Sequence, residues 1–265
     1  MTALAARSPA GHYRFRHVAR MEWIKIRSLR STWWTLVISA AGAVAIGVAV
    51  GLNTTNGSED LTNNALAGLI PALLVSGVLG VLLMTSEYSS GMIRSTLAAT
   101  PRRPLLLAAK AAVFGAVALV FGEVASFIAF FAGGAALRHG ISAPVLSQPG
   151  VLRAVILGGA GFCLLGLIGL GLGAIIRHSA AAIAVYVGGL YVLPLFIGNL
   201  VHKVGVYLPI IIVGNSLTDT QPEACPAHSS QCVPFLSAWA GLGVLALYAA
   251  VALAVGGWLF ARRDA

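Results

Sequence analysis

Charge is what this sequence has least of. Only 9% of its 265 residues are Asp, Glu, Lys or Arg, against about 25% in an ordinary soluble domain, too few to coat a water-facing surface. Acidic residues are scarcer still, eight against 17 Lys and Arg. Lysine occurs only at Lys25, Lys110 and Lys203, and none sits in a G-x-x-x-x-G-K-[ST] phosphate loop, so a nucleotide-hydrolysing site of that type is excluded from this chain. H-E-x-x-H, G-x-S-x-G and C-x-x-C are also missing, and the six His are scattered over polar segments. No metal, cofactor or nucleophile site is therefore expected, and the chain does not read as an enzyme. Nor does any stretch alternate apolar and polar residues with period two, which leaves helices rather than a closed barrel as the way to satisfy the backbone in lipid.

Apolar sequence is what the chain has in plenty: 58% hydrophobic, with a mean hydropathy of +0.89. A bilayer core about 30 Å thick needs about 20 helical residues, and windows of that kind recur. The expected fold is all-α integral membrane with six spans, about 31–52, 65–85, 111–136, 154–176, 180–200 and 235–260, followed or joined by polar segments and an outer loop over 201–234. The first span reads as uncleaved. Ala43-Val44-Ala45 matches a small-x-small cleavage pattern, but the basic region before it and the apolar run are both long for a signal peptide.

Six spans put both termini on one side, and Lys and Arg choose it, because short cytoplasmic loops carry the positive excess. With the termini cytoplasmic, Arg7, Arg14, Arg16, Arg20, Lys25, Arg27, Arg30, Arg94, Arg102, Arg103, Lys110, Arg177, Arg262 and Arg263 lie inside, and only Arg138, Arg153 and Lys203 outside. That distribution accounts for the formal charge of +9 without nucleic acid as a partner. The expected compartment is the plasma membrane, in a bacterium the inner membrane.

Within the spans few residues invite chemistry. The run from Gly158 to Gly173 has no preceding strand and reads as close helix packing through Gly169-x-x-x-Gly173 rather than as a dinucleotide loop. Cys163 reads as packing. Glu123, the one ionisable residue near mid-membrane, should face the bundle interior, as a structural hydrogen-bonding or kinking group or as part of a transport path. Pro71 and Pro194 are places for kinks. Outside, Cys225 and Cys232 are either a small disulfide-closed loop or two free thiols.

The polar segments carry more. Over 14–30, Phe15, Val18, Ala19, Trp23, Ile26 and Leu29 share one side of a helical wheel and Arg16, Arg20, Lys25, Arg27 and Arg30 flank or oppose it. That is an amphipathic interfacial helix on anionic membrane lipid, an anchor or a mechanical element. Glu22 interrupts its apolar face within reach of Lys25. Between the second and third spans, residues 87–99 form a short helix stopped by Pro101. Tyr88 pairs with Met92 and Ile93 with Leu97, while Glu87, Gly91 and Arg94 line a polar strip. The segment is a connector or a docking helix, and its two-sided pattern favours docking, through Tyr88, Met92, Ile93 and Leu97 with charged help from Glu87 and Arg94.

Glu87-Tyr88-Ser89-Ser90-Gly91, followed by Pro101-Arg102-Arg103 and Lys110, resembles the inner-loop signature of ABC-2 type permeases, the membrane halves of ATP-driven exporters. Glu22-Trp23-Ile24-Lys25 and Arg30-Ser31-Thr32-Trp33-Trp34 are similar to the first helix of actinobacterial members, and Gly169 to Ala180 and Tyr207-Leu208-Pro209 fit the same order. Ile210-Ile211-Ile212-Val213 departs from it, being apolar where related permeases are more polar. The resemblance implies an interfacial helix carrying Glu22, Trp23 and Lys25. It also implies a coupling helix carrying Glu87, Tyr88, Gly91, Met92 and Arg94, and a second permease half as homodimer or heterodimer partner. A separate ABC ATPase subunit would bind the ATP and Mg, and the substrate would be hydrophobic or amphiphilic. The alternative is a membrane anchor or regulatory subunit that docks a cytoplasmic partner and transports nothing.

Overall fold

The computed structural model describes residues 14–57, 59–100, 102–138, 140–194, 196, 205–219 and 236–262. Among them every regular element is helical. Five helices are long and apolar enough to cross a membrane: α2 (Arg30–Asn53), α4 (Leu69–Ser89), α6 (Arg103–Ala135), α7 (Val151–Ile176) and α10 (Ala238–Arg262). Shorter helices join them: α1 (Phe15–Ser28), α3 (Leu61–Leu66), α5 (Met92–Ala99), α8 (Ser179–Val187), which runs into a π-helical turn at Gly188–Val192, and α9 (Pro209–Ser216).

Helix α7 is the centre of the bundle, packed between α4, α6 and α10. Its sequence shows why it can be. A methyl group on Gly169 would collide with the Gly77 carbonyl of α4, and one on Gly173 would lie 3.0 Å from the Val81 carbonyl. The expected Gly169-x-x-x-Gly173 packing face is thus the α7–α4 contact, where absent side chains let two backbones approach and gain dispersion energy in lipid. Polar side chains bind carbonyls across the same interfaces: the Ser76 hydroxyl donates to Phe162 at 2.6 Å, that of Ser126 to Val155 at 2.7 Å and that of Tyr186 to Leu73 at 3.2 Å. Cys163 packs half-buried with its thiol 3.3 Å from the Gly115 carbonyl.

Several boundaries differ from those read off the sequence. Residues 65–68 do not open the second span. Asp60 caps α3 by accepting from the Asn63 N–H at 2.8 Å, and α3 lays Ala65 against Gly133 of α6 before the chain turns into α4. Pro71 therefore sits in the first turn of α4, where a missing N–H costs nothing, so it needs no kink. Helix α6 starts eight residues before the expected third span, with Pro104 in its first turn, because Lys110 is held by partners rather than solvated at a membrane boundary. The expected fifth span begins as α8, its path widened by the π turn that precedes Pro194, and most of 195–204 lies outside the described residues. The apolar Ile210–Val213 run is explained by α9: Ile212 and Val213 are buried against α10 and α7. Cys225 and Cys232 lie outside the described residues.

Side-chain contacts sort the helix ends into two groups. At one end α1, α5, the last turns of α4 and α7, the starts of α6 and α8, and the finish of α10 come together. Arg103 of α6 donates to the Phe260 carbonyl of α10 at 3.2 Å, and Ser179 of α8 to Thr85 of α4 at 2.8 Å. At the other end Arg138 reaches the Leu52 carbonyl at 2.8 Å and Arg153 the Thr218 carbonyl at 2.9 Å. Every other described basic residue is at the first end, so the charge asymmetry of the sequence is also an asymmetry in space.

Candidate functional site

At the basic end two carboxylates and two ammonium groups close a ring. Lys25 Nζ of α1 lies 3.2 Å from Glu22 Oε1 on the preceding turn and 3.0 Å from Glu87 Oε1 at the end of α4. Lys110 Nζ of α6 lies 2.6 Å from Glu22 Oε2 and 2.7 Å from Glu87 Oε1. Lys25 also donates to Thr96 Oγ1 of α5 at 3.2 Å. Three helices, α1, α4 and α6, are thus joined through charges of alternating sign, and α5 through the Thr96 hydroxyl. Glu22, Glu87 and Lys110 are about as buried as core leucines, at 1%, 2% and 2% exposure. Glu87 Oε2 is buried without a hydrogen-bond partner among the described residues.

Local sequence explains the convergence. The buried stripe of α1 is Val18, Glu22 and Ile26 at a spacing of four, so Glu22 does not interrupt an apolar face. It is the middle of the face that packs on the protein, made tolerable by the two lysines. Trp23, expected on the same face, is turned outward, as are Phe15 and Leu29. The inner-loop segment is not one helix from 87 to 99. α4 carries Glu87 and Tyr88, and its last turn ends where the Gly91 N–H bonds the Tyr88 carbonyl. Gly91 then adopts φ +68°, a left-handed conformation open to glycine at little cost, and α5 restarts at Met92. This break leaves Glu87 buried on α4 while α5 restarts as a separate helix.

The division reassigns the expected docking residues. Glu87 is inside the ring, Ile93 is buried, and Leu97 packs half-buried on the chain's own core. Tyr88 is half-buried with the Arg177 guanidinium 5.2 Å from its ring centre, linking α4 to the last turn of α7. Gly91, Met92 and Arg94 remain exposed. The pairing of Glu22 with Lys25 follows the sequence reading, whereas the parts of Lys110 and Thr96 were missed. A signal for Lys110 did exist: Glu22 and Glu87 are nearly alone among fourteen basic residues in the segments expected inside, and a carboxylate beside an apolar run needs a cation once buried.

Energetically such a ring specifies more than it stabilises. Desolvating the ions offsets most of their attraction, yet removing one member of a buried pair costs about 3–5 kcal/mol because its partner stays buried and unpaired. Burial works to lower the pKa of Lys25, but the Glu22 and Glu87 carboxylates outweigh it and hold the ammonium above its ordinary value. Lys25 therefore stays charged at neutral pH and bridges the two carboxylates.

Glu123 lies apart from the ring, on α6 facing α7, half-buried with its carboxyl group against Gly159. Among the described residues it has neither an ion pair nor a hydrogen bond from its side chain. Arg153, at the far end, serves backbone carbonyls instead. A scan against models of protein families and a search of curated proteins both found no match.

Proposed function

We propose that this chain is the permease subunit of an ATP-driven exporter of the ABC-2 type, working in a bacterial plasma membrane with a separate ATPase subunit and a second permease half. The observation that carries the reading is the ring. A docking helix is useful only if its displacement reaches the spans, and Thr96, Lys25, Glu22, Glu87 and Lys110 link α5 to the interfacial helix α1 and to the ends of α4 and α6. Met92 and Arg94, on the exposed side of α5, are the contacts for the ATPase, and Gly91 is the joint. Glu87 and Tyr88 pass the movement on rather than touching the partner.

Topology supports the same reading. α7 ends at the basic end, and α10 starts at the other end and finishes at the basic one, which favours one further crossing between them. With the five long helices, a sixth crossing of that kind would put α1 and the end of α10 on one side, cytoplasmic by the positive-inside rule. ATP and Mg belong to the partner. The apolar span faces suit a hydrophobic or amphiphilic substrate, and Glu123 is the one place on α6 where such a path would meet a carboxyl group.

The test is co-expression with the ATPase of the same system, with Met92→Cys and Arg94→Cys as cross-linking positions. Cross-links to the ATPase, together with ATP hydrolysis stimulated by the permease, are expected. A cytoplasmic partner captured through the same positions but without nucleotide hydrolysis would establish the anchor role instead.

A further inference from the structure

The outward face of α1 leaves an apolar groove that the exporter reading does not use. Phe15, Ala19 and Trp23 of α1 form one wall and Val113, Val117 and Phe121 of α6 the other, enclosing about 730 Å³. Small residues make the room: Ala112 and Ala116 lie on α6 where larger side chains would close the gap. Along α6 the lining runs from Ala112 to Val124, about 18 Å at 1.5 Å per residue, close to the hydrocarbon depth of one leaflet, about 15 Å. Among the described residues, the one charged side chain in the lining is Arg20.

We propose that this groove is a binding site for one anionic phospholipid of the leaflet on which α1 lies, its acyl chain against α6 and its phosphate at Arg20. The charge argument is specific to α1. The one acidic residue of the helix, Glu22, is buried in the ring, so the exposed charge consists of Arg14, Arg16, Arg20 and Arg27. Anything docking along the exposed side meets cations only, while the groove below them is apolar. A single molecule with an anionic head and a leaflet-long apolar tail satisfies both. Trp23, exposed, stands at the boundary between the two environments, where an amphipathic aromatic ring is favoured, and the exposed Phe15 adds to the apolar wall. The occupant differs from ordinary boundary lipid in being held by shape and charge together.

The experiment is native mass spectrometry of the full chain in detergent, titrated in parallel with phosphatidylglycerol and phosphatidylcholine. The expected result is one phosphatidylglycerol retained per chain, with phosphatidylcholine held more weakly. Arg20→Gln should lower phosphatidylglycerol retention about fivefold, the effect of one cation near an anionic surface. Ala116→Trp should abolish it by filling the groove. Arg27→Gln removes the same charge outside the groove and should leave retention unchanged. Thermal unfolding of each variant without lipid checks that the fold is kept, and Arg20, being exposed, tests the site even if Ala116→Trp disturbs packing. Equal retention of both lipids, or equal loss in Arg20→Gln and Arg27→Gln, would overturn the proposal. So would retention in Ala116→Trp that matches wild type, and a change of oligomeric state with no lipid retained would make the groove a protein interface instead.

Discussion

The two ends of the bundle use their few polar residues differently. At the basic end side chain meets side chain: Glu22, Lys25, Glu87 and Lys110 form a closed buried circuit. At the far end side-chain pairs such as Thr62 with Asp219 and Asn64 with Glu59 hold no cation, and the charged groups meet backbone. Asp60 caps α3 and accepts from the Asp219 N–H at 3.0 Å, and Arg153 and Arg138 donate to carbonyls at chain turns. A backbone contact fixes a loop where it is, because the carbonyl cannot change partner without unfolding its segment. A ring of four charges holds helices that the chain does not otherwise connect, and each member has two partners, so one can shift while the other is kept. Such an end is suited to passing on a movement, and the far end to resisting one.

The largest expected effect comes from opening the ring by one member. Lys110→Met leaves Glu22 and Glu87 buried with only Lys25 between them and should destabilise the chain by about 3–5 kcal/mol, read as thermal unfolding in detergent or as loss of folded protein. Arg153→Met at the far end removes charge-assisted bonds to carbonyls and should cost about 1.5 kcal/mol. Equal losses would erase the distinction between the ends.

The second effect tests whether the ring acts as a unit. In Glu87→Leu combined with Lys110→Met, one carboxylate and one ammonium leave together, and Glu22 keeps Lys25. The double variant should be less destabilised than the sum of its singles by about 1–3 kcal/mol. Additive losses would show four independent contacts. If the proposed exporter function holds and the ring transmits movement, this double variant should also insert and fold yet lose stimulation of the proposed ATPase partner.

Both ends were legible in the sequence to different depths. Apolar windows located the five long helices to within a few residues where charge marks the boundary, as at Arg30. They failed at Lys110, because a charge that is buried by partners looks like one solvated at a membrane surface. The pairing of Glu22 with Lys25 was visible because it is local on one helix. Its closure through Glu87 and Lys110 spans 62 and 88 residues in sequence, which no periodicity reports. Glu87 was read into one helix over 87–99 and given the wrong surroundings, since the left-handed turn at Gly91 leaves it on α4, buried. At the far end the cap at Asp60 is a local signal, but its contact with Asp219 is not.

A third effect separates the ends by pH. Lys25 is held above its ordinary value, so the folded state binds its proton more tightly. Its contribution is complete below about pH 10.4, the unfolded value, and is lost as pH rises through the folded value, above 10.5. Asp60 is also raised, by burial first and then by the Asp219 carboxylate, against the N–H groups of Asn63 and Asp219. For an acid this means that stability at the far end falls as pH rises through the window just above 3.8. Hydrogen exchange should therefore find α3 best protected at acid pH and the ring end indifferent to pH across the neutral range, loosening only where its carboxylates protonate or Lys25 loses its proton. Loosening of the ring near neutrality would contradict the assignment.

The smallest effect concerns how the basic end is tied to α7. Arg177 holds φ +61°, the one described residue other than glycine in the left-handed region, and its guanidinium lies over Tyr88. Two opposed terms act there: the ring contact favours arginine, and the backbone favours glycine. Arg177→Ala and Arg177→Gly remove the same side-chain contacts, so any difference between them is conformational. Alanine keeps a Cβ in a conformation that costs an L-residue about 1–2 kcal/mol, whereas glycine does not. Arg177→Gly should therefore be the more stable variant by about 1 kcal/mol in thermal unfolding. Both should weaken coupling between α4 and α7 equally, visible as faster exchange at the last turn of α4. If glycine and alanine unfold together, the left-handed turn carries no strain, and Arg177 occupies it for the sake of its side-chain contacts.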